Sequence, residues 1–370
     1  MFYGGVMTFA QRLSLVQAGL LAAGIDAALM TPGADLRYLT GYDAKPLERL
    51  TCLVVRANSD PVLVVPALEV LAAQASPVME LGIEISSWQE TEDPYALTAH
   101  LVGAASVVAL DDHMWAQKVL DLRSVMPATR QVLAGKIIAP IRMRKDASEI
   151  ASLRRAGAAI DEVHAKVPGC LRPGRTEREV GAEISNLIMA AGHVAVDFVI
   201  VASGPNAASP HHEVSDRVLA IGDPVVVDIG GTMPDGYRSD CTRTYSLGAP
   251  GAEYADSYAI LLQAQKAACA SVKPEVTCEQ VDATGREVLV AAGLGELFIH
   301  RTGHGIGLES HEEPYIVSGN DLPLAAGMVF SVEPGFYLAG RYGARIEDIV
   351  VCTDSGYESL NHQPRELAIV

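Results

Sequence analysis

VVVDIGGTMPDGYRSDCTRTY, residues 225–245, sets two acids, Asp228 and Asp240, on either side of a Gly/Pro/Asp-rich turn. A β-branched run precedes the turn and a Thr/Tyr-rich run follows it, a pattern that predicts a β-hairpin with one carboxylate on each arm. The pattern returns in VFSVEPGFYLAGRYGARIEDIVV, residues 329–351, where Glu333 is expected on one apolar arm and Glu347 on the other. Between the two lies RTGHGIGLESHEEP, residues 301–314, with His304 held between Gly303 and Gly305 and His311 one loop further on.

Four carboxylates and an imidazole able to meet at one point need compensating charge, because unpaired buried anions are strongly disfavoured. Two divalent cations would bring the cluster near neutrality. An oxygen-dominated set with one histidine and no thiolate suits manganese, or cobalt or zinc by substitution, better than a structural zinc site. Asp240 and Glu347 are candidates to bridge both metals, Asp228 to chelate one, and His304 with Glu333 the other. Two cations about 3.5 to 4 Å apart can share a water, lower its pKa and stabilise the oxyanion formed when it attacks a carbonyl, so hydrolysis is the expected output. Glu333, beside Pro334 and Gly335, is also placed to take the water's proton and pass it to a departing amine.

Outside the ligand set, His211 sits in VASGPNAASPHHE, where Gly204, Pro205 and Pro210 mark a rigid loop. His211 and His311 are candidates to donate to a substrate carbonyl or a tetrahedral intermediate. His212 is expected to face solvent, and His100, His113, His164, His193 and His362 to be structural. Arg345, two residues before Glu347 and so expected on the same strand face, is a candidate either to pair with a ligand carboxylate or to bind a substrate carboxylate.

The chain has 370 residues, 49% apolar and only 5% aromatic, with a net charge of −17. That length allows two domains, and the charge argues against a nucleic-acid partner, which calls for a basic face. Six scattered cysteines without a C-x-x-C pair suggest free thiols in a reducing compartment. The opening MFYGGVMTFAQRL lacks the signature of a signal peptide and no run approaches membrane-spanning length, so a cytoplasmic protein without a membrane partner is expected.

From residue 8 to 140, strand and helix signals alternate, predicting an α/β layer domain. Thr8 caps its first helix and Gly24 closes it. GADLRYLTGYDAKPLERL, residues 33–50, reads as a solvated loop whose Arg37, Lys45 and Arg49 are weighed as contacts for a substrate carboxylate. From residue 145 to 370, capping boxes at Asp146, Thr176 and Thr277 start helices grouped against antiparallel strands, predicting an α+β domain. The echo between the Asp and Glu hairpins suggests two related halves with the cluster at their junction.

The segments VVVDIGGTMPDGYRSDCTRTY, GHGIGLESHEEP, VFSVEPG and GARIED resemble, in order and over the whole C-terminal domain, the pita-bread metallopeptidases: prolidase, aminopeptidase P and methionine aminopeptidase. The preceding domain resembles the creatinase-type N-terminal domain of the proline-specific branch. The resemblance implies dinuclear ligands at Asp228, Asp240, His304, Glu333 and Glu347, substrate-side histidines at His211 and His311, and the strand arginine at Arg345. It implies a homodimeric hydrolase acting on small peptides with proline second: an Xaa-Pro dipeptidase, or alternatively an Xaa-Pro aminopeptidase on longer peptides. One departure is that the Asp228-to-Asp240 interval is a residue longer than is common, with the excess in the Met233-Pro234-Asp235 turn. Creatinase itself, which works without metals, fits poorly with a full ligand set, as does a non-enzymatic relative. DIGGT, residues 228–232, also resembles the phosphate loop of sugar kinases, but its mid-chain place ahead of further acids argues against a phosphotransferase.

Overall fold

The computed structural model describes residues 5–370 and separates into two compact units, Val6–Arg142 and Met143–Val370 with Gly5. The N-terminal unit is built on one six-stranded sheet. Its strands are β1 (Ala27–Met30), β2 (Cys52–Arg56), β3 (Val62–Pro66), β4 (Glu84–Trp88), β5 (Val107–Leu110) and β6 (Arg130–Leu133), in the spatial order β4-β3-β2-β1-β5-β6. The pairs β1–β2 and β2–β3 are antiparallel, whereas β3–β4, β1–β5 and β5–β6 are parallel. The central strands are apolar without alternation because both of their faces are covered. Leu29, Val54, Val64 and Val108 are all solvent-free on one side of this sheet.

Thr8 accepts the Gln11 amide in a complete capping box, and Gly24 ends that first helix, Phe9–Ala23, in the left-handed conformation at φ 65°. The stretch expected to be a loop at residues 33–50 is different in its first half. Ala34–Thr40 forms a helix of two turns, anchored by an ion pair of 2.6 Å between Asp35 and Arg142. A segment this short carries too little periodicity to register in a sequence scan. Arg37 pairs with Asp43 at 3.1 Å, and Arg49 with Glu48 and Glu90 at 2.6 Å each, so two of the three cations weighed for a substrate find acids within their own unit.

The C-terminal unit runs the same order twice: two helices, then an antiparallel pair that carries acids. In the first half the helices Ala147–His164 and Glu177–Ala190 precede β7 (Ala195–Ser203), β8 (Pro224–Thr232) and β9 (Arg238–Ser246). In the second half the helices Ala252–Ser271 and Cys278–Ala291 precede β10 (Gly303–Gly305), β11 (Glu312–Ile316), β12 (Val329–Val332), β13 (Gly335–Leu338), β14 (Tyr342–Arg345), β15 (Asp348–Cys352) and β16 (Tyr357–Ser359). A last strand, β17 (Ala368–Ile369), pairs in parallel with β9. All three capping boxes read from the sequence, at Asp146, Thr176 and Thr277, are formed.

The two-residue period of the strands decides where the acids point. Val225, Val227 and Ile229 of β8, with Cys241 and Tyr245 of β9, pack against Ile160, Val163, Val180 and Ile184 of the first two helices. Asp228, Asp240 and Thr242 therefore project from the opposite face of the sheet. The β8–β9 register is unbroken from Pro224↔Ser246 to Thr232↔Arg238, so the longer turn is absorbed entirely within Met233–Tyr237, where Gly236 takes φ 92°. In the second half Phe330 and Val332 of β12 and Val350 and Cys352 of β15 pack on the other helix pair.

A buried ion pair ties the start of this unit to its histidine loop. Lys145 Nζ lies 2.6 Å from Glu312 Oε1, and the side chains are 1% and 8% exposed. Glu312 sits next to His311, its carboxylate lies under Gly307, and it accepts the Glu309 amide at 3.4 Å. Removing one member of a buried pair costs far more than replacing both. Lys145→Met is expected to lose about 3 to 5 kcal/mol of stability, and the double variant Lys145→Met/Glu312→Leu to recover most of it, as measured by urea unfolding.

Candidate metal centre

The hairpin β8–β9 presents Asp228 and Asp240 on one face as a diagonal pair, since Asp228 lies opposite Thr242 and Asp240 opposite Gly230. Glu333 and Glu347 arrive differently from the expectation. They are not on the two arms of one continuous hairpin: the ladder β12–β15 ends at Val332↔Asp348, and a separate ladder β13–β14 begins at Gly335↔Arg345. Both glutamates occupy the break. There the Glu333 amide donates to Thr302 O at 2.8 Å and the Glu347 amide to Thr242 O at 3.2 Å. The break also corrects the expected relation of Arg345 to Glu347, because the first ends β14 and the second precedes β15. Their side chains nonetheless line the same cavity.

His304 is threaded through β10 on glycines that nothing else could replace. A Cβ at Gly303 would lie 1.8 Å from Ser331 O, and one at Gly305 would lie 2.3 Å from Glu313 O. His304 Nε2 is 3.2 Å from Glu333 Oε1 and 3.7 Å from Asp240 Oδ2. Its ring centroid is 3.8 Å from that of His311. The cavity they share has a volume of about 830 Å³. It is lined by all eight residues singled out in the sequence: His211, Asp228, Asp240, His304, His311, Glu333, Arg345 and Glu347.

Arg345 is satisfied inside the cluster. Nη2 donates to Asp228 at 2.5 Å, Nε to the Thr242 hydroxyl at 3.1 Å, and Nη1 to the Tyr337 hydroxyl at 2.8 Å and the Pro210 carbonyl at 3.3 Å. Of the two uses considered for it, the geometry gives the pairing with a carboxylate of the cluster, since Nε, Nη1 and Nη2 are each already engaged by protein acceptors. His212 is also corrected. It does not face solvent, because Nε2 is 2.8 Å from the fully buried Glu177.

Several lining residues carried no sequence signal strong enough to be named. His300 stands four residues before His304 and bonds the Tyr337 hydroxyl at 2.9 Å, while Arg301 Nη2 is 3.3 Å from His311 Nδ1. Phe198, Ile200 and Ile299 supply an apolar wall. The adjacency of His300 to the HRTGHG run was the one available hint.

The electrostatics follow from crowding. Burial, then the charge of Asp228, pushes the Asp240 carboxyl well above its ordinary range, and burial with the charges of Asp240 and Glu333 does the same to Glu347. Burial would raise Glu333 too, but the hydrogen bond and charge of His304 outweigh it and hold that carboxyl down at about 2. Reciprocally His304 is raised from 6.5, burial being overcome by Glu333 and Asp240. Burial and the neighbouring His304 bring His311 down to about 4.

These residues fit a divalent cation. Asp228 Oδ1 is buried without a hydrogen-bond partner, and Asp240, His304 and Glu347 offer ligand atoms within 4.8 Å of one another. The donors are hard oxygens with one imidazole, and the thiol nearest in sequence, Cys241, points to the helix side of the sheet.

Comparison with known proteins agrees. The model of metallopeptidase family M24 matches residues 151–354, and that of the creatinase/prolidase N-terminal domain matches residues 12–144. The chain is 52% identical to the "Probable dipeptidase PepE" of Mycobacterium tuberculosis, over 98% of this chain and 96% of that one. It is 36% identical to the Xaa-Pro dipeptidase of Lactobacillus helveticus, over 97% and 99% of the two chains. The crystal structure of dipeptidase PepE from Mycobacterium ulcerans superposes with a TM-score of 0.94 at 52% identity, covering 98% of both chains.

Asp240, Glu347 and His304 are all raised, so each contributes stability that is complete below its unfolded value and lost as pH rises through its folded value. Glu333, which is depressed, already contributes in full above the ordinary carboxylate range. The melting temperature of chelator-treated protein is therefore expected to fall as pH rises above the ordinary carboxylate range, and added divalent cation to flatten the slope, as followed by scanning calorimetry.

Proposed function

Because this chain belongs to metallopeptidase family M24 and carries the creatinase/prolidase N-terminal domain, it is a peptide-bond hydrolase of the pita-bread fold, and we propose that it is an Xaa-Pro dipeptidase. What carries the reading is the convergence of four carboxylates and one histidine on a single cavity, in a chain whose full-length relatives include an Xaa-Pro dipeptidase. The X-Pro amide lacks the N–H on which ordinary peptidases rely, so a dedicated site is required.

As an M24 metallopeptidase the chain uses divalent metal. Our reading assigns Asp228, Asp240, His304, Glu333 and Glu347 as the residues that hold it, in a dinuclear arrangement, with manganese favoured by the oxygen-rich donor set. Bound there, such ions supply a nucleophilic water at neutral pH and polarise the scissile carbonyl. Glu333 is ionised at neutral pH and serves as the base: it accepts the water's proton and returns it to the proline nitrogen as the bond breaks. His311, held neutral by burial, donates an N–H to the developing oxyanion, and His211 does so from the facing loop. Arg345 holds the Asp228 carboxylate in place rather than binding substrate.

The proposal extends to a cytoplasmic homodimer. All six cysteines are free and buried, as suits a reducing compartment. Sedimentation analysis tests the subunit number.

Two experiments test this function. Asp240→Ala is expected to release metal and lower kcat by more than about 100-fold, the loss typical of a mere supporting group, while the fold persists by circular dichroism. Rates on matched Xaa-Pro and Xaa-Pro-Yaa peptides separate dipeptidase from aminopeptidase; rapid cleavage of the tripeptide alone would assign the aminopeptidase.

A further inference from the structure

Glu177, the first residue of its helix, is wholly buried, yet it is no part of the metal-facing cluster. Its carboxylate collects donors from both ends of the loop that carries His211. Oε1 accepts the Ser203 amide at 2.8 Å and the Ser203 hydroxyl at 2.7 Å. Oε2 accepts the Ser215 hydroxyl at 2.5 Å, the Ser215 amide at 3.2 Å and His212 Nε2 at 2.8 Å. The Asn206 side-chain amide spans both oxygens at 3.0 and 3.1 Å. Burial alone would raise this carboxyl, but the bonds from Ser215, Ser203 and His212 hold it at about 2.

The backbone repeats the grip. The free amides at the helix start, those of Glu177 and Arg178, donate to Arg217 O and Ser215 O at 3.0 Å each. The loop so held presses on β14, where a Cβ at Gly343 would lie 2.1 Å from Ala207 O, and it delivers the Pro210 carbonyl to Arg345. The second half of the unit repeats the device. Asp282, also buried on the second helix of its pair, accepts the amide and hydroxyl of Thr302 at 3.1 and 2.8 Å, two residues before His304.

We infer that Glu177 is a positioning residue for His211: by locking residues 203–215 to the helix, it holds the imidazole at the substrate side of the cavity. This rests on the reading that His211 acts on substrate. A carboxylate that takes donors from Ser203, Asn206, His212 and Ser215 fixes the loop in advance, so the ordering entropy is settled on folding and not at binding.

A double-mutant cycle on the metal-loaded protein tests it, with Glu177→Gln, His211→Ala and the combination assayed on one Xaa-Pro dipeptide. His211→Ala is expected to lower kcat about 100-fold, as loss of an oxyanion donor does. Glu177→Gln should lower kcat at least tenfold while KM moves less and manganese affinity, measured by titration calorimetry, is unchanged. The double variant should be no slower than His211→Ala alone. Multiplicative losses, or a Glu177→Gln protein with the parental kcat, would overturn the inference while leaving the role of His211 standing. An unimpaired His211→Ala protein would instead overturn that role, and the inference with it. If Glu177→Gln does not fold, Ser215→Ala, which removes one gripping hydroxyl, carries the same comparison.

Discussion

Mutual repulsion among Asp228, Asp240, Glu333 and Glu347 is the constraint around which the C-terminal unit is built. Largely buried together at one cavity, these groups oppose folding unless something offsets their charge. The protein supplies part of the answer itself: Arg345 on Asp228, His304 on Glu333 and the Thr242 hydroxyl on Glu347 at 2.8 Å. These three contacts leave Asp240 and Glu347 strongly disposed to hold protons and Asp228 Oδ1 without a partner. A cluster in that condition is poised for cations, and its protein partners orient the oxygens before any ion arrives.

The geometry that makes such crowding possible comes from strand breaks as much as from strands. A regular ladder would put Glu333 and Glu347 at fixed positions on one pleat. Ending one ladder at Val332 and starting another at Gly335 frees both glutamates to turn inward, while backbone bonds to Thr302 and Thr242 keep the break rigid. Glycine at 303, 305 and 343 lets neighbouring backbone approach closer than any side chain would permit, so the chain segments converge on the acids without spacer atoms.

Much of this was legible in the sequence. The β-branched run ahead of the Gly/Pro/Asp turn announced a hairpin with an acid on each arm, and the unbroken β8–β9 register bears that reading out. The capping boxes at Asp146, Thr176 and Thr277 were legible because their chemistry is local. What stayed hidden depends on partners far along the chain. His212 looked like a solvent-facing neighbour of His211 because Glu177, which holds it, lies 35 positions away. Tyr337 and His300 gave no pattern of their own; they belong to the site only because folding joins them to each other and to Arg345. The short helix Ala34–Thr40 was hidden for the opposite reason, being local but too brief to show a period.

The pair Lys145–Glu312 has a practical corollary for anyone expressing the hydrolytic half alone. The stretch shared with family M24 begins at residue 151, yet the ammonium that neutralises the floor of the histidine loop, and the capping box of Asp146 and Glu149, lie upstream of it. Downstream, Arg365, which bridges the buried Asp348, and strand β17 fall beyond the shared stretch's end at residue 354. A fragment trimmed to the boundaries of homology would thus discard fastenings at both ends, and a cloning design has to respect the physical unit instead, which takes in Met143–Val370 and Gly5.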